Sequence, residues 1–188
     1  VVGLSNNMAF IYVDEIEIDD ENNNELLDYD ENISFNMNFY NPGLANADNV
    51  TATLTTNSPE YVELINSEVN IGSLNAGSEK NINDAFSFKV KDNVPDQEYA
   101  FFTMTITDGN NTWNQELVYR IQAPVFEFFD VSYSDHLSDN NGFVDAGETI
   151  TVEFKIRNVG SSKTDEISVE AFSSNSYVTF EDNILELG

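Results

Sequence analysis

Cysteine is absent from these 188 residues, which rules out disulfides, thiolate metal sites and a cysteine nucleophile within them. Positive charge is scarce too: Lys and Arg number 7 against 34 Asp and Glu, a formal charge of −27. Such a surface repels phosphate backbones and anionic headgroups, so neither nucleic-acid binding nor membrane insertion is expected. A single histidine, His136, excludes a multi-histidine metal centre and leaves no duplicated catalytic base. No apolar run approaches the roughly 20 residues of a spanning helix. The N-terminal VVGLSNNMAF has neither the basic flank nor the apolar stretch of a secretory signal, and reads as a mature or excised segment. No phosphate-binding glycine loop occurs, and no stretch carries a helical stripe. Carboxylate pairs are so frequent that none singles out a glycosidase-type acid and base.

What is present is a repeat. Residues 22–43, NNNELLDYDENISFNMNFYNPG, align without a gap on residues 139–160, DNNGFVDAGETITVEFKIRNVG. Asp28 falls on Asp145, Glu31 on Glu148, Asn41 on Asn158 and Gly43 on Gly160. Between them Ile33, Phe35, Met37 and Phe39 fall on Ile150, Val152, Phe154 and Ile156. Each copy therefore belongs to a folding unit of the same kind. The hydrophobic content, 40%, is enough for each unit to build a core.

Alternation with period two marks the strands. Ile33 to Phe39 alternates with Ser34, Asn36 and Asn38, and Val50, Ala52 and Leu54 alternate with threonines. The same holds around Phe86–Val90, Phe102–Ile106 and Trp113–Ile121. Turn residues separate these runs, and Asp108-Gly109 predicts a hairpin between the last two. Short strands at this spacing predict an all-β chain of two tandem β-sandwich modules: an N-terminal extension over 1–9, module 1 over 10–123 and module 2 over 124–188. Trp113 is expected in the core of the first rather than on a sugar platform. The second is expected to be an incomplete copy, because Ile184–Gly188 matches Val69–Ser73 only loosely and nothing follows that corresponds to residues 75–123. A sandwich short of those strands exposes an apolar face and open edges, which points either to a processing or excision boundary or to completion of the sheet by another protein chain.

The loop before each Ile/Phe strand resembles the twelve-residue calcium loop of EF-hands, D-x-[DN]-x-[DN]-G-x-[ILV]-D-x-x-E. Calcium takes six to eight oxygen ligands, at alternate loop positions closed by a carboxylate at the twelfth. In the first copy Asp20, Asn22, Asn24, Asp28 and Glu31 fill those positions, with the carbonyl of Leu26 as the backbone ligand. Glu25 stands where the glycine of the sharp turn belongs. In the second copy Asp139, Asn141, Asp145 and Glu148 recur with Gly142 in place and Phe143 as the backbone ligand. Leu137 occupies its first ligand position, for which Asp135 is the substitute. The competing reading is a turn without metal, since Asp and Asn crowd turns by bonding their own backbone. Ca2+ is the one cofactor expected, at modest affinity.

The frame from Asn140 to Gly160, N-x-x-x-x-D-x-G-E-T-[IV] followed by alternating apolar residues and N-x-G, resembles the immunoglobulin-like modules appended to exported Bacteroidetes proteins. It is similar to those accompanying gingipain-type peptidases and to the bacterial cell-adhesion-related domain. Residues 49–56, NVTATLTT, and the runs from Asp84 to Phe88 and from Thr105 to Trp113 extend the likeness. The resemblance implies a non-catalytic accessory or spacer module, extracellular or at the bacterial cell surface, whose partners are neighbouring domains of the same polypeptide. An adhesion module that binds carbohydrate or protein is the alternative, and an accessory part of a secreted peptidase a more distant one. Several of Tyr12, Tyr29, Tyr40, Tyr61 and Tyr133 on one open surface would favour adhesion. The resemblance also implies that Asp30, where the second copy has Gly147, gives the first turn a different shape.

Overall fold

The computed structural model describes residues 7–164 and 166–187, and no helix occurs among them. The chain divides into two compact units between Ala123 and Pro124.

Unit 1 holds β1 (Tyr12–Asp20), β2 (Leu27–Asp28), β3 (Asn32–Asn41), β4 (Ala47–Thr56), β5 (Val62–Asn66), β6 (Glu68–Leu74), β7 (Ser78–Val90), β8 (Tyr99–Thr107) and β9 (Thr112–Gln122). They form a four-stranded sheet in the order β1-β3-β7-β5 and a five-stranded sheet in the order β2-β9-β8-β4-β6. All neighbours are antiparallel except the short β2–β9 pair. The alternation in β3 works as written: Ile33, Phe35, Met37 and Phe39 are buried, the residues between them are not. Aromatic rings join the sheets, with Phe35 5.1 Å from Phe88 and Phe102 4.9 Å from Phe88. Tyr119 of β9 closes the group 5.1 Å from Phe35. Trp113 packs partly against this core. The Asp108-Gly109 hairpin forms, with Thr107 opposite Thr112 and Gly109 at a φ of 86°.

Packing starts before Phe10: Ala9 is buried, and the carbonyl of Met8 accepts from the N–H of Leu44 at 3.0 Å. Of the N-terminal segment 1–9, residues 1–6 lie outside the described residues. Gly43 faces this segment so closely that a Cβ there would lie 2.5 Å from the Met8 carbonyl oxygen. Only glycine fits.

Unit 2 holds β10 (Phe126–Ser134) paired with β11 (Thr151–Asn158), and β12 (Ile167–Glu170) paired with β13 (Ile184–Leu187). Its pairings repeat those of unit 1 strand for strand. The β1–β3 ladder shifts register between Val13 and Glu15, and the β10–β11 ladder shifts between Phe128 and Asp130, opposite matching residues of the repeat. Leu185 pairs with Val169 as Val69 pairs with Ala52, so β13 is the counterpart of β6 with the match moved by one residue from that expected for Ile184. Among the described residues, no strand of unit 2 plays the part of β7, β8 or β9. The consequence shows in burial. Phe35, Val62 and Val13 are 0%, 2% and 4% exposed, whereas their counterparts Val152, Val178 and Phe128 are 51%, 49% and 60% exposed.

Candidate functional site

The first acidic loop is anchored at three places. Asp20 ends β1, β2 lies parallel to β9 with Leu27 opposite Ile121, and β3 starts directly after Glu31. Asp20 accepts backbone N–H groups from Asn24 at 3.1 Å and Glu25 at 2.6 Å. The amides of Asn22 and Asn24 donate to Asp28 Oδ2 at 3.0 and 2.7 Å, and Asn24 Oδ1 accepts from Leu26 N–H at 2.8 Å. Glu31 reaches back across the loop to accept from the N–H groups of Asn22, 3.3 Å, and Asp28, 3.2 Å. Asp20, Asp28 and Glu31 are buried. Burial raises the Glu31 carboxyl above its ordinary pKa of 4.5, and the charges of Asp20 and Asp28 add to the rise, against the hydrogen bonds from Asp28 and Asn22. Asp30, at the loop's outer corner, pairs with Lys89 of β7 at 2.6 Å.

The second loop repeats this network with different side chains at two points. Asp145 N–H donates to Glu148 Oε2 at 2.8 Å, the Asn141 amide to Asp145 Oδ2 at 3.1 Å, and Phe143 N–H to Asn141 Oδ1 at 2.7 Å. The place of Asp20 is taken by Asp135, which is buried and accepts from Gly142 N–H at 2.8 Å. Leu137 is a bystander, its side chain 62% exposed. Asp139 replaces Asn22, and here three carboxylates meet: oxygens of Asp139, Asp145 and Glu148 lie within 4.8 Å of one another.

The expectation of a different turn at Asp30 is corrected, and the replacement of glycine by Glu25 leaves its turn unchanged. Glu25, in place of the glycine, adopts a left-handed φ of 61° beside the 85° of Gly142. Asp30 does the same at 56° against 89° for Gly147, so the two turns bend alike. Asn23 and Asn140, at 58° and 55°, complete three matching left-handed positions. The network tolerates side chains there, at roughly 1 kcal/mol or more per non-glycine residue, because the loop's hydrogen bonds leave no other path.

Each copy thus brings its polar members together, Asp20, Asn22, Asn24, Asp28 and Glu31 in one and Asp135, Asp139, Asn141, Asp145 and Glu148 in the other. Leu26 and Phe143 enter through their backbones, and their side chains are exposed. His136 lies outside the loop network, exposed, its Nδ1 2.9 Å from Ser134 Oγ. Of the five tyrosines, Tyr12 and Tyr40 meet at 5.8 Å with Phe10 beside them, whereas Tyr29 and Tyr61 pack against the core.

Sequence reasoning paired Asn41 with Asn158 but gave them no role, and the structure supplies one. Asn41 Oδ1 accepts from Phe10 and Gly43 N–H, both at 3.1 Å, and its amide donates to the carbonyls of Ala45, 2.9 Å, and Leu74, 3.1 Å. All four bonds of a fully buried amide are made. Asn158 repeats three, from Val125 and Gly160 N–H and to Ser162 O. The recurring N-x-G was the available signal: an Asx turn beside an obligatory glycine.

No protein-family model and no curated protein matches the chain. Among solved structures it is similar to the β-glucuronidase of Parabacteroides merdae, at 12% identity and a TM-score of 0.38 over 63% of this chain. The chain spans 14% of that enzyme's length, and a likeness so slight carries no argument.

Proposed function

We propose that this chain is a pair of immunoglobulin-like, non-catalytic modules of an exported or cell-surface bacterial protein, which space or present neighbouring domains of the same polypeptide. One observation carries the reading. The residues the two copies share close a loop, seat a strand bulge and clamp the chain at Asn41 and Asn158. Repetition has kept architecture, as a spacer requires. The test is to replace residues 1–188 in the intact host protein with an unrelated β-sandwich pair of similar length. Retained chemistry in the host supports a spacer, and lost chemistry overturns it. The Phe10–Tyr12–Tyr40 cluster favours the adhesion alternative, so specific retention on a glycan or peptide array, abolished by Tyr12→Ala, decides for that reading.

Calcium belongs with the second loop rather than the first. Donors serve the carboxylates of both loops, the Asn141 amide serving Asp139 and Asp145 as those of Asn22 and Asn24 serve Asp28, so what sets the second apart is Asp139, a carboxylate where the first has Asn22. In the second, Asp139, Asp145 and Glu148 would hold the ion and lose their mutual repulsion, and the carbonyl of Phe143 and the side chain of Asn141 complete the set. An affinity of roughly 10⁻⁴–10⁻³ M is expected for such a partial set. Calcium titration followed by NMR should shift the Asp145 and Glu148 amides more than those of Asp28 and Glu31. Equal or absent shifts at millimolar calcium would sink the assignment.

A further inference from the structure

The outer face of the five-stranded sheet of unit 1 carries an apolar patch flanked by two opposite charges. The β8–β9 register sets Phe101 beside Val118, Tyr99 beside Arg120 and Thr103 beside Glu116. Tyr99, Phe101 and Val118 are 39%, 44% and 52% exposed, whereas Ala100, Phe102 and Leu117 face the core. Arg120 lies over the Tyr99 ring, 5.5 Å from its centroid, and donates to Tyr99 Oη and Gln97 Oε1, both at 2.9 Å. Glu116 accepts from Thr103 Oγ1 at 3.0 Å. Uncharged neighbours thus hold both charges in place, which lowers the entropy lost when either meets a partner.

Along β9 the outward residues read Glu116, Val118, Arg120, a negative and a positive charge two residues to either side of a valine. That order is its own complement. A second copy can be turned over about an axis that lies in the face and crosses the strands at Val118 and Phe101. The two β9 strands then run antiparallel across the contact, with Val118 against Val118 and Phe101 against Phe101. Glu116 of each copy meets Arg120 of the other, and Tyr99 of each meets Thr103 of the other. Sheets packed face to face lie about 10 Å apart, a gap that a Glu and an Arg reaching from opposite sides can close.

We infer that unit 1 pairs with a second copy of this chain through the outer face of β8 and β9, as an isologous dimer with two Glu116–Arg120 contacts around Val118 and Phe101. The charge order selects this occupant. A partner segment of one sign, acidic or basic, would satisfy one of the two charges and oppose the other, whereas a second copy satisfies both. Aromatic rings and arginine are also the groups that anchor interfaces. The net charge of −27 opposes association at long range, but at about 0.15 M salt it is screened beyond roughly 8 Å, and the two ion pairs act inside that distance. A patch this small makes a weak interface, so self-association is expected at roughly 10⁻⁵–10⁻⁴ M chain. The inference is independent of the spacer reading, since a spacer needs no second copy.

The test is sedimentation equilibrium of the full chain and of two charge reversals, Glu116→Arg and Arg120→Glu. Both side chains are exposed, so folding is not at stake. The unaltered chain should dimerise. Each reversal alone places like charges opposite one another twice and should weaken self-association about tenfold or more. An equimolar mixture of the two variants sets Glu against Arg at both contacts again and should form a mixed dimer as tight as the original. The double variant, with the two charges exchanged, should recover self-association as well. A chain that stays monomeric up to about 1 mM overturns the inference, because contacts weaker than that carry under about 4 kcal/mol. Dimers indifferent to either reversal overturn it too, since another surface then makes them. So does a mixture that associates no better than the single variants.

Discussion

The two units close one loop in the same way and then part company over burial. Asp28 and Glu31 are buried, while Asp145 is exposed and Glu148 half-buried, although both pairs make the same backbone bond from aspartate N–H to glutamate. The loop's shape is thus set locally, by Asx and Glu side chains bonding their own backbone, and needs no core behind it. Burial is supplied from elsewhere: by β9 alongside β2 and by Lys89 of β7 over Asp30, which have no counterparts among the described residues of unit 2. Local geometry and tertiary packing, fused in most domains, stand apart here.

The widest separation is expected in the cores. Phe35→Ala should destabilise unit 1 by about 4 kcal/mol, because it opens a cavity among Phe88, Phe102 and Tyr119. Val152→Ala, at the same place in the repeat, should cost under about 0.5 kcal/mol, its side chain being largely in water. Trp113, the one tryptophan, lies in unit 1, so its fluorescence in denaturant reads that unit. Similar losses at both sites would mean that unit 2 is packed more tightly than its exposure indicates.

Next come the clamps. Asn41→Ala removes four bonds from a fully buried site and should cost about 3 kcal/mol, since each stranded buried group costs roughly 1–3 kcal/mol. Asn158→Ala removes three from an exposed site and should cost about 1 kcal/mol, with water taking over as partner. Amide exchange at Phe10 and Val125 reports the two sites separately. If both variants lose equally, burial does not govern the clamp.

Opposite signs are expected at the left-handed turn. Glu25→Gly relieves a side chain held at a φ of 61° and should stabilise unit 1 by about 0.5–1 kcal/mol. Gly142→Ala forces a side chain into a φ of 85° and should destabilise unit 2 by about 1 kcal/mol. Melting curves of the two variants check this, and equal signs would show that the turns are not equivalent.

How much of this could be read in advance depends on where the determinant sits. Alternation in β3, β4 and β8, the Asp108-Gly109 hairpin and the all-β class were legible because period two and turn chemistry are local. The position of Asp135 was legible as a substitute only, because the second loop takes two more residues to reach Asp139 than the first takes from Asp20 to Asn22. The left-handed Glu25 was not legible, since propensity opposes it and a closed hydrogen-bond network overrides propensity. Nor was the clamp: the bonds of Asn41 reach back to Phe10 and ahead to Leu74, and such partners are visible only after folding.

The smallest effect concerns acid, and it has two parts of opposite sign within unit 1. Asp108, in the β8–β9 hairpin, accepts from the N–H groups of Asn110 at 2.9 Å and Asn111 at 2.6 Å. Burial works to raise its carboxyl, but hydrogen bonds from the Asn111 backbone and amide, and from Asn110, hold it below its ordinary 3.8. A depressed folded-state pKa contributes stability above 3.8 that is lost as pH falls through the folded value. Glu31 runs the other way. Its folded pKa is raised by burial, so the native state binds its proton first, and stability from this group grows as pH falls from above the folded value to 4.5. Unit 1 should therefore gain slightly on mild acidification, then lose once Asp108 protonates. Asp108→Asn should flatten the low-pH loss and leave the gain near Glu31 in place. Tryptophan-detected unfolding across this range, with carbon-detected NMR titration of both carboxyls, measures the two limbs. An Asp108 carboxyl titrating above 3.8, or a Glu31 carboxyl titrating below 4.5, would break the argument at that residue.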